Sequence, residues 1–109
     1  SLLASNTSYL IRTDVNGNYT YVNDAFCKKF GFTEDQVIGK FYGPTVHPED
    51  LGVCEKAATL ALQDPGKVVT VELRKPNPQG GFFFTEWEFL AILNSRGEFL
   101  EMQCVGRDI

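Results

Sequence analysis

Apolar aromatic and β-branched residues are grouped in two short runs near the start of the chain, "SYLIRTD" at 8–14 and "NYTYVN" at 18–23. Short runs of this composition between turn residues predict β-strands. The intervening "VNGN" contains an Asn-Gly pair, which supplies the positive φ angles of a tight hairpin turn. We therefore expect two antiparallel strands to open the fold.

Apolar residues then recur at helical spacing in three segments. The first runs from a capping residue, Asn23 or Asp24, to Gly31, which suits a left-handed C-terminal cap. The second is short and begins at Thr33, where a T-x-x-Q pattern indicates a capping box. The third begins at "HPED" (47–50), is about four turns long and ends before "QDPG". Its expected buried face consists of Leu51, Cys54, Ala58 and Ala61, with Leu62 beside them.

The last part of the chain is rich in β-branched and aromatic residues, in runs at 67–75, 82–93 and 98–106. The turn sequences "PNPQGG" and "NSRG" between them predict a meander of three antiparallel strands. The expected inward face of the first run is Val69, Val71 and Leu73. The middle run is apolar on both faces, which leaves open a second buried surface, for instance against a partner.

Length and charge limit the possible functions. The chain has 109 residues, 43% of them hydrophobic, which is enough for one core and too short for two domains. Its net charge of −4 argues against nucleic acid as a partner, because phosphate backbones require clustered positive charge. No apolar run approaches the roughly 20 residues that cross a bilayer, so direct membrane insertion is not expected. The chain starts without Met and stops at "GRDI", so we expect a piece of a longer protein.

Candidate reactive groups are few. The three cysteines, Cys27, Cys54 and Cys104, form no CxxC pair, and their odd number favours a reducing compartment such as the cytoplasm. Cys27 is expected to be a small apolar filler, because free cysteine is usually buried. The only histidine, His47, precedes a proline at a helix entrance and has no neighbouring ligand residues. No catalytic signature and no phosphate-binding glycine loop is present, so the domain is expected to be non-catalytic.

Six motifs in order resemble the PAS family. They are the D-x-x-G turn at 14–17, "YVNDAF" at 21–26, "FGFT" at 30–33, "VIGK" at 37–40, "HPED" at 47–50 and "GRDI" at 106–109. The resemblance covers almost the whole chain, which we take as one PAS domain, 1–109, with an N-terminal flank at 1–8. It implies an α+β fold with a five-stranded antiparallel sheet, and with short helices and one longer helix packed on one face around a small cavity. The signalling helix that follows this domain in the family is absent after residue 109.

The resemblance also implies a set of site residues. The expected cavity lining is Phe26, Phe30, Tyr42, Leu51, Cys54, Ala58, Val71, Trp87 and Met102. Only the tyrosine hydroxyl, the indole N–H and the backbone would orient a ligand there, which favours a small apolar or aromatic molecule over a sugar or dicarboxylate. The expected signal output is Arg107 with Asp108, whose carboxylate could cap the following helix.

No cofactor is expected, and flavin and haem least of all. The flavin-binding branch of the family has a cysteine three residues after the glycine that matches Gly39, where this chain has Tyr42. The same branch has a glutamine at the position of Gly106. The haem-binding branch places its axial histidine at or near Cys54, and a thiolate ligand remains the one route to haem here.

Two functions stay open. The first is a sensory module that binds a small ligand or relays a conformational change to an output domain in the same chain. Family frequency favours a sensor histidine kinase of a two-component system as the parent protein. The alternative is a cavity-free interaction module that forms homodimers through the PAS domain or its flanking helices. Either would lie in the cytoplasm, including the cytoplasmic part of a membrane-anchored sensor.

Overall fold

The computed structural model describes residues 8–109, so all but the last residue of the flank expected at 1–8 lies outside the described residues. Its strands are β1 Tyr9–Thr13, β2 Tyr19–Val22, β3 Val69–Pro76, β4 Phe82–Leu93 and β5 Phe99–Asp108. Its α-helices are α1 Asp24–Phe30, α2 Glu34–Val37 and α3 Leu51–Gln63, with 3₁₀ turns at Gly43–Thr45 and Pro48–Asp50. The strands form one antiparallel sheet in the order β2-β1-β5-β4-β3. The fold class expected from the sequence is confirmed.

The predicted hairpin between β1 and β2 is present. The Asp14 carboxylate accepts hydrogen bonds from the backbone N–H groups of Asn16 at 2.9 Å and Asn18 at 3.0 Å. Gly17 has a φ of 79°, a conformation that a side chain would make costly. This turn fixes the direction in which the chain enters β2 and then α1.

Helix α1 begins and ends where its sequence predicts. Asn23, the first of the two candidate caps, accepts a hydrogen bond from the Phe26 N–H at 3.0 Å, and Gly31 closes the helix in the left-handed conformation. The helix turns Phe26 and Phe30 into the core. The α1 face of the sheet is therefore covered by aromatic rings.

Helix α3 is attached to β3 at its start. The Arg74 guanidinium donates to the Asp50 carboxylate at 3.0 and 2.7 Å, and the Arg74 backbone N–H donates to the same group at 2.8 Å. These bonds hold the pKa of the Asp50 carboxyl below its usual value. A charged pair with two parallel bonds restricts geometry strongly, so the helix direction over the sheet is set here.

The buried face of α3 differs slightly from the predicted one. Cys54, Ala57 and Ala61 are buried, whereas Ala58 is half-buried and Leu62 is 44% exposed. The helix is therefore rotated so that Ala57, and not Ala58, faces the sheet most directly. Small residues on this face let α3 approach the sheet without filling all the space beneath it.

The predicted meander of β3, β4 and β5 is also present, and its inner face carries the largest core residue. Trp87 is 1% exposed, and its indole N–H donates to the Thr85 hydroxyl at 2.8 Å. Thr85 in turn donates to the Leu73 carbonyl at 2.6 Å. On the outer face of β4, Phe84 is 62% exposed, so the described part of the chain leaves it uncovered.

Gly106 lies opposite Trp87 in β5. A Cβ atom at this position would lie 2.6 Å from three atoms of the indole ring, which is closer than non-bonded carbon atoms approach each other. The ring is itself held by its hydrogen bond to Thr85, so the strand or the ring would have to shift.

We therefore expect Gly106→Ala to lower the free energy of unfolding by about 1 to 3 kcal/mol, through overpacking against Trp87. Gly52→Ala in α3 is the matched control, because nothing lies within 4 Å of its Cβ position. It should raise the stability by up to about 1 kcal/mol, since alanine favours helix. Urea denaturation of both variants measures the difference, and an equal effect of the two substitutions would contradict the close contact.

Candidate functional site: a cavity between the sheet and helix α3

A cavity of about 400 Å³ lies between the inner face of the sheet and α3. Such a volume suits a small organic ligand, because a cavity of roughly 150 Å³ already holds benzene. Its floor is formed by buried side chains, namely Ile11, Tyr19, Cys54, Leu73, Lys75, Trp87, Phe89, Met102 and Cys104. Its rim is formed by exposed ones, including Val15, Asn16, Phe41, Glu55, Thr59 and Leu62. The cavity is thus closed by the sheet and open towards the β1–β2 turn and α3.

Five of the nine side chains expected around the cavity line it: Tyr42, Cys54, Ala58, Trp87 and Met102. Phe26, Phe30 and Val71 belong to the buried core beside it, and Leu51 packs against that core. The reason is the aromatic cluster under α1, where Phe30 lies 5.0 Å from Phe26 and 5.1 Å from Tyr9 between ring centroids. These rings fill the α1 side, and the space remains under α3.

The most unusual residue of the lining, Lys75, was absent from the expected set. It is only 5% exposed, and its ammonium nitrogen lies 4.9 Å from the centre of the Trp87 ring. Within residues 8–109 it has no hydrogen-bond or ion-pair partner. The sequence does indicate that Lys75 faces inward, because every second residue of β3 does so, and Lys75 follows Val71 and Leu73 in this alternation.

Burial determines the protonation of the groups around Lys75. It lowers the pKa of the Lys75 ammonium to about 8, against an ordinary value of 10.5. It raises the pKa of the Cys54 and Cys104 thiols, so neither thiol supplies a negative charge at neutral pH. At pH 7 the buried Lys75 side chain is therefore mostly positively charged, and it forms no ion pair with a carboxylate of residues 8–109.

Most other polar groups near the cavity already have partners. The Tyr19 hydroxyl is hydrogen-bonded to the Thr45 hydroxyl at 2.6 Å, and the Trp87 N–H is bonded to Thr85. The indole N–H expected to orient a ligand is therefore occupied. Burial raises the pKa of Tyr42, and its hydroxyl interacts with the Cys54 thiol. Lys75 is thus the strongest orienting group that faces the cavity.

The remaining candidate residues have structural surroundings. Cys27 is half-buried against the core, and burial raises the pKa of its thiol, with Glu34 and Asp24 adding to the effect. His47 accepts a hydrogen bond from the Glu49 N–H at 3.0 Å, and its ring lies 4.2 Å from that of Phe82. Among the described residues, no group of three His, Cys, Asp or Glu side chains is placed to hold a metal ion.

Two positions that carry flavin-contacting side chains in the flavin-binding branch carry other residues here. Gly106, where the flavin-binding branch has a glutamine, has no space for a side chain beneath the Trp87 ring. Tyr42 replaces the reactive cysteine of that branch. For haem, the available thiol is that of Cys54, and burial disfavours the thiolate form that binds iron.

The expected output residues lie at the end of β5. Asp108 accepts a hydrogen bond from the Tyr9 hydroxyl at 2.8 Å and forms an ion pair with Lys29 at 3.2 Å. Arg107 pairs with Glu86 of β4 at 3.1 Å. Asp108 thus connects the last strand with both β1 and α1, two residues after Gly106, which pairs with Trp87.

A five-stranded antiparallel sheet with short helices and one longer helix over one face, and a cavity beneath them, is the architecture that the sequence motifs predicted. The chain belongs to the PAS domain family, whose model matches residues 6–109. The family membership inferred from the sequence motifs is confirmed, and with it the role of a sensory or signalling module.

Individual relatives are distant. The chain is 29% identical over 89 residues to the two-component sensor PprA of Pseudomonas aeruginosa, covering 82% of this chain and only 10% of that protein. A PAS domain structure from Colwellia psychrerythraea shares 19% identity with a TM-score of 0.84, covering 94% of this chain and 86% of the other. The PAS-B domain of Drosophila melanogaster Cycle with bound ethylene glycol shares 16% identity with a TM-score of 0.82, covering 93% and 99%. None of the described helices is long and apolar enough to cross a membrane.

The buried charge of Lys75 has a measurable cost in the ligand-free domain. We expect Lys75→Met to raise the free energy of unfolding by about 1 to 3 kcal/mol at pH 7, because methionine needs no hydration. The folded pKa lies below the unfolded one, so the unfolded chain binds more protons between about pH 8 and 10.5. The wild type should therefore recover stability relative to Lys75→Met as the pH rises through that range.

Denaturant titrations of the wild type and Lys75→Met at pH 7 and pH 10 measure the difference in their free energies of unfolding. All other titrating groups are the same in the two proteins, so their effects cancel in this comparison. A wild type that is at least as stable as Lys75→Met at pH 7 would show that the ammonium is not an uncompensated charge.

Proposed function

We propose that this domain is the ligand-sensing module of a larger signalling protein. The observation that carries the proposal is the cavity of about 400 Å³, which lies inside an otherwise closely packed core and opens at the rim of α3. A well-packed domain contains few spaces larger than a water molecule, so an unfilled volume of this size is a candidate binding site. The domain itself is non-catalytic and takes no flavin, haem or metal.

The contacts around Trp87 suggest how occupancy reaches the output end. Its ring lines the cavity on one side and meets the Gly106 backbone on the other. A ligand that moves the ring would alter the fit at Gly106, two residues before Asp108. The end of β5 would then have two arrangements. In one, Asp108 keeps its contacts with Tyr9 and Lys29, and in the other these contacts are broken.

The proposed parent protein is a two-component sensor with a histidine kinase as output domain in the same chain. The support is the family membership and the distant similarity to PprA, of which this chain spans about a tenth. We place the domain in the cytoplasm, on its own or as part of a membrane-anchored sensor, with neither nucleic acid nor the membrane as a direct partner.

A second candidate is an interaction module that forms homodimers and relays a signal without a ligand. The observation in its favour is the exposed aromatic pair on β4, Phe82 at 41% and Phe84 at 62% exposure. Exposed aromatic side chains are enriched where proteins meet.

The sensing proposal predicts that filling the cavity abolishes ligand binding. Native mass spectrometry of the wild-type domain purified from its source should find a bound small molecule. Ala58→Phe, which adds a ring to the cavity lining, should be purified without it. Lys56→Phe, on the exposed side of the same helix, is the matched control and should retain that ligand. A wild-type domain that carries nothing, is not stabilised by any small molecule and dimerises through Phe84 would favour the interaction module instead.

The output proposal predicts an effect that appears only in the full-length protein. Asp108→Ala should change the ratio of signalling states there, while the isolated domain loses no more than about 1 kcal/mol, because the lost contacts are partly exposed. Arg96→Ala, an exposed cation in the β4–β5 turn, should change neither quantity. If output stays unchanged in an intact Asp108→Ala protein, Asp108 has no part in the coupling.

A further inference from the structure

Lys75 is a buried cation without a negative partner among residues 8–109. Lysine is almost never fully buried unless it is paired. Yet the described carboxylates nearest the cavity, Asp14 and Glu55, lie on its rim and form no ion pair with Lys75. The contact with Trp87 is a cation–π interaction. In the described part of the chain, no group accepts a hydrogen bond from the three N–H donors of the ammonium.

The charged side chain of Lys75 lines the cavity and is largely hidden from the outer surface. Lys75 belongs to the lining, together with the apolar surfaces of Trp87, Phe89 and Met102. An uncompensated charge in such surroundings is unfavourable, and a negative group bound beside it would offset much of that cost. The cavity therefore combines an apolar interior with one anion-binding group.

The number and arrangement of charges limit the anion. One ammonium matches one negative charge, whereas a phosphate group presents more charge and more acceptor atoms than a single lysine can satisfy. Asp14 and Glu55 at the rim would repel a second anionic group near the opening. The volume of about 400 Å³ leaves room for one or two rings, or an aliphatic chain, beside the charged group.

We propose that the cavity binds a small molecule that carries a single carboxylate on an apolar body, and that Lys75 is the residue that binds the carboxylate. This inference rests on the proposed sensing function and names its ligand class. It adds a charge to the apolar or aromatic ligand expected from the sequence, and it keeps the expectation that such a molecule fits better than a sugar or dicarboxylate.

The test compares an acid with its uncharged isostere. Binding of 3-phenylpropanoate and of 3-phenylpropanamide to the domain is measured by isothermal titration calorimetry at pH 7. The two molecules have nearly the same shape, so the ratio of their affinities reports the replacement of a carboxylate by a neutral amide. For the wild type we expect the acid to bind about tenfold or more tightly than the amide, as for a hydrogen bond to a charged group.

Two variants assign the effect to a residue. In Lys75→Met the preference for the acid should fall below about twofold, whereas the amide should bind as well as before or better. Lys56→Met, which removes an exposed lysine from α3, should keep the wild-type preference and so controls for net charge. If Lys75→Met fails to fold, the Lys75 side-chain signals in NMR spectra of the wild type replace it, and they should shift with the acid and not with the amide.

Each other outcome overturns the proposal. Equal affinity for acid and amide, or a preference that Lys75→Met retains, would show that Lys75 does not bind the carboxylate, while ligand sensing itself would stand. Absence of acid binding up to about 10 mM would also exclude the proposed ligand class. A neutral ligand found on the purified domain in that case would keep the sensing function, and a cavity that binds nothing would remove both.

Discussion

The contact between the Trp87 ring and the Gly106 backbone determines how the rest of the interior is arranged. The ring takes the space that any side chain at 106 would need, so β4 and β5 approach each other with glycine at this point of the register. A hydrogen bond to the buried Thr85 holds the ring in that position. The largest side chain of the core is therefore fixed from two sides, by sterics below and by hydrogen bonding at its edge.

This fixed ring separates two halves of the interior that are packed differently. On the α1 side, Tyr9, Phe26 and Phe30 form a continuous aromatic cluster, with the Tyr9 ring also near Trp87. On the α3 side, the buried residues of the helix are all small, namely Cys54, Ala57 and Ala61. Small residues on a helix held in place by the Asp50–Arg74 pair cannot close the gap, so the cavity remains.

Lys75 puts a charge into the cavity wall at a position where an apolar side chain would make the empty domain more stable. Replacing a buried, uncompensated charge by an apolar group often stabilises a protein, so Lys75 costs stability in the empty domain, and the proposed role in binding gives it a purpose. A ligand that neutralises this charge would stabilise the occupied state more than the empty one. That difference is the free energy with which a sensory domain can shift an equilibrium in its output module.

The sequence alone determined the elements and their order, because turns, caps and strand alternation act over a few residues. Asn23, Gly31 and the Asn-Gly turn fix local boundaries in this way, and the order of the motifs pointed to the family. Which residues surround the cavity was decided only by tertiary packing. Phe26 and Phe30 are as apolar as Trp87, yet they fill the α1 side, and the inward lysine on β3 became notable only when the structure showed it without a partner. Periodicity tells which face a side chain occupies, but whether the space before it is filled depends on elements distant in sequence.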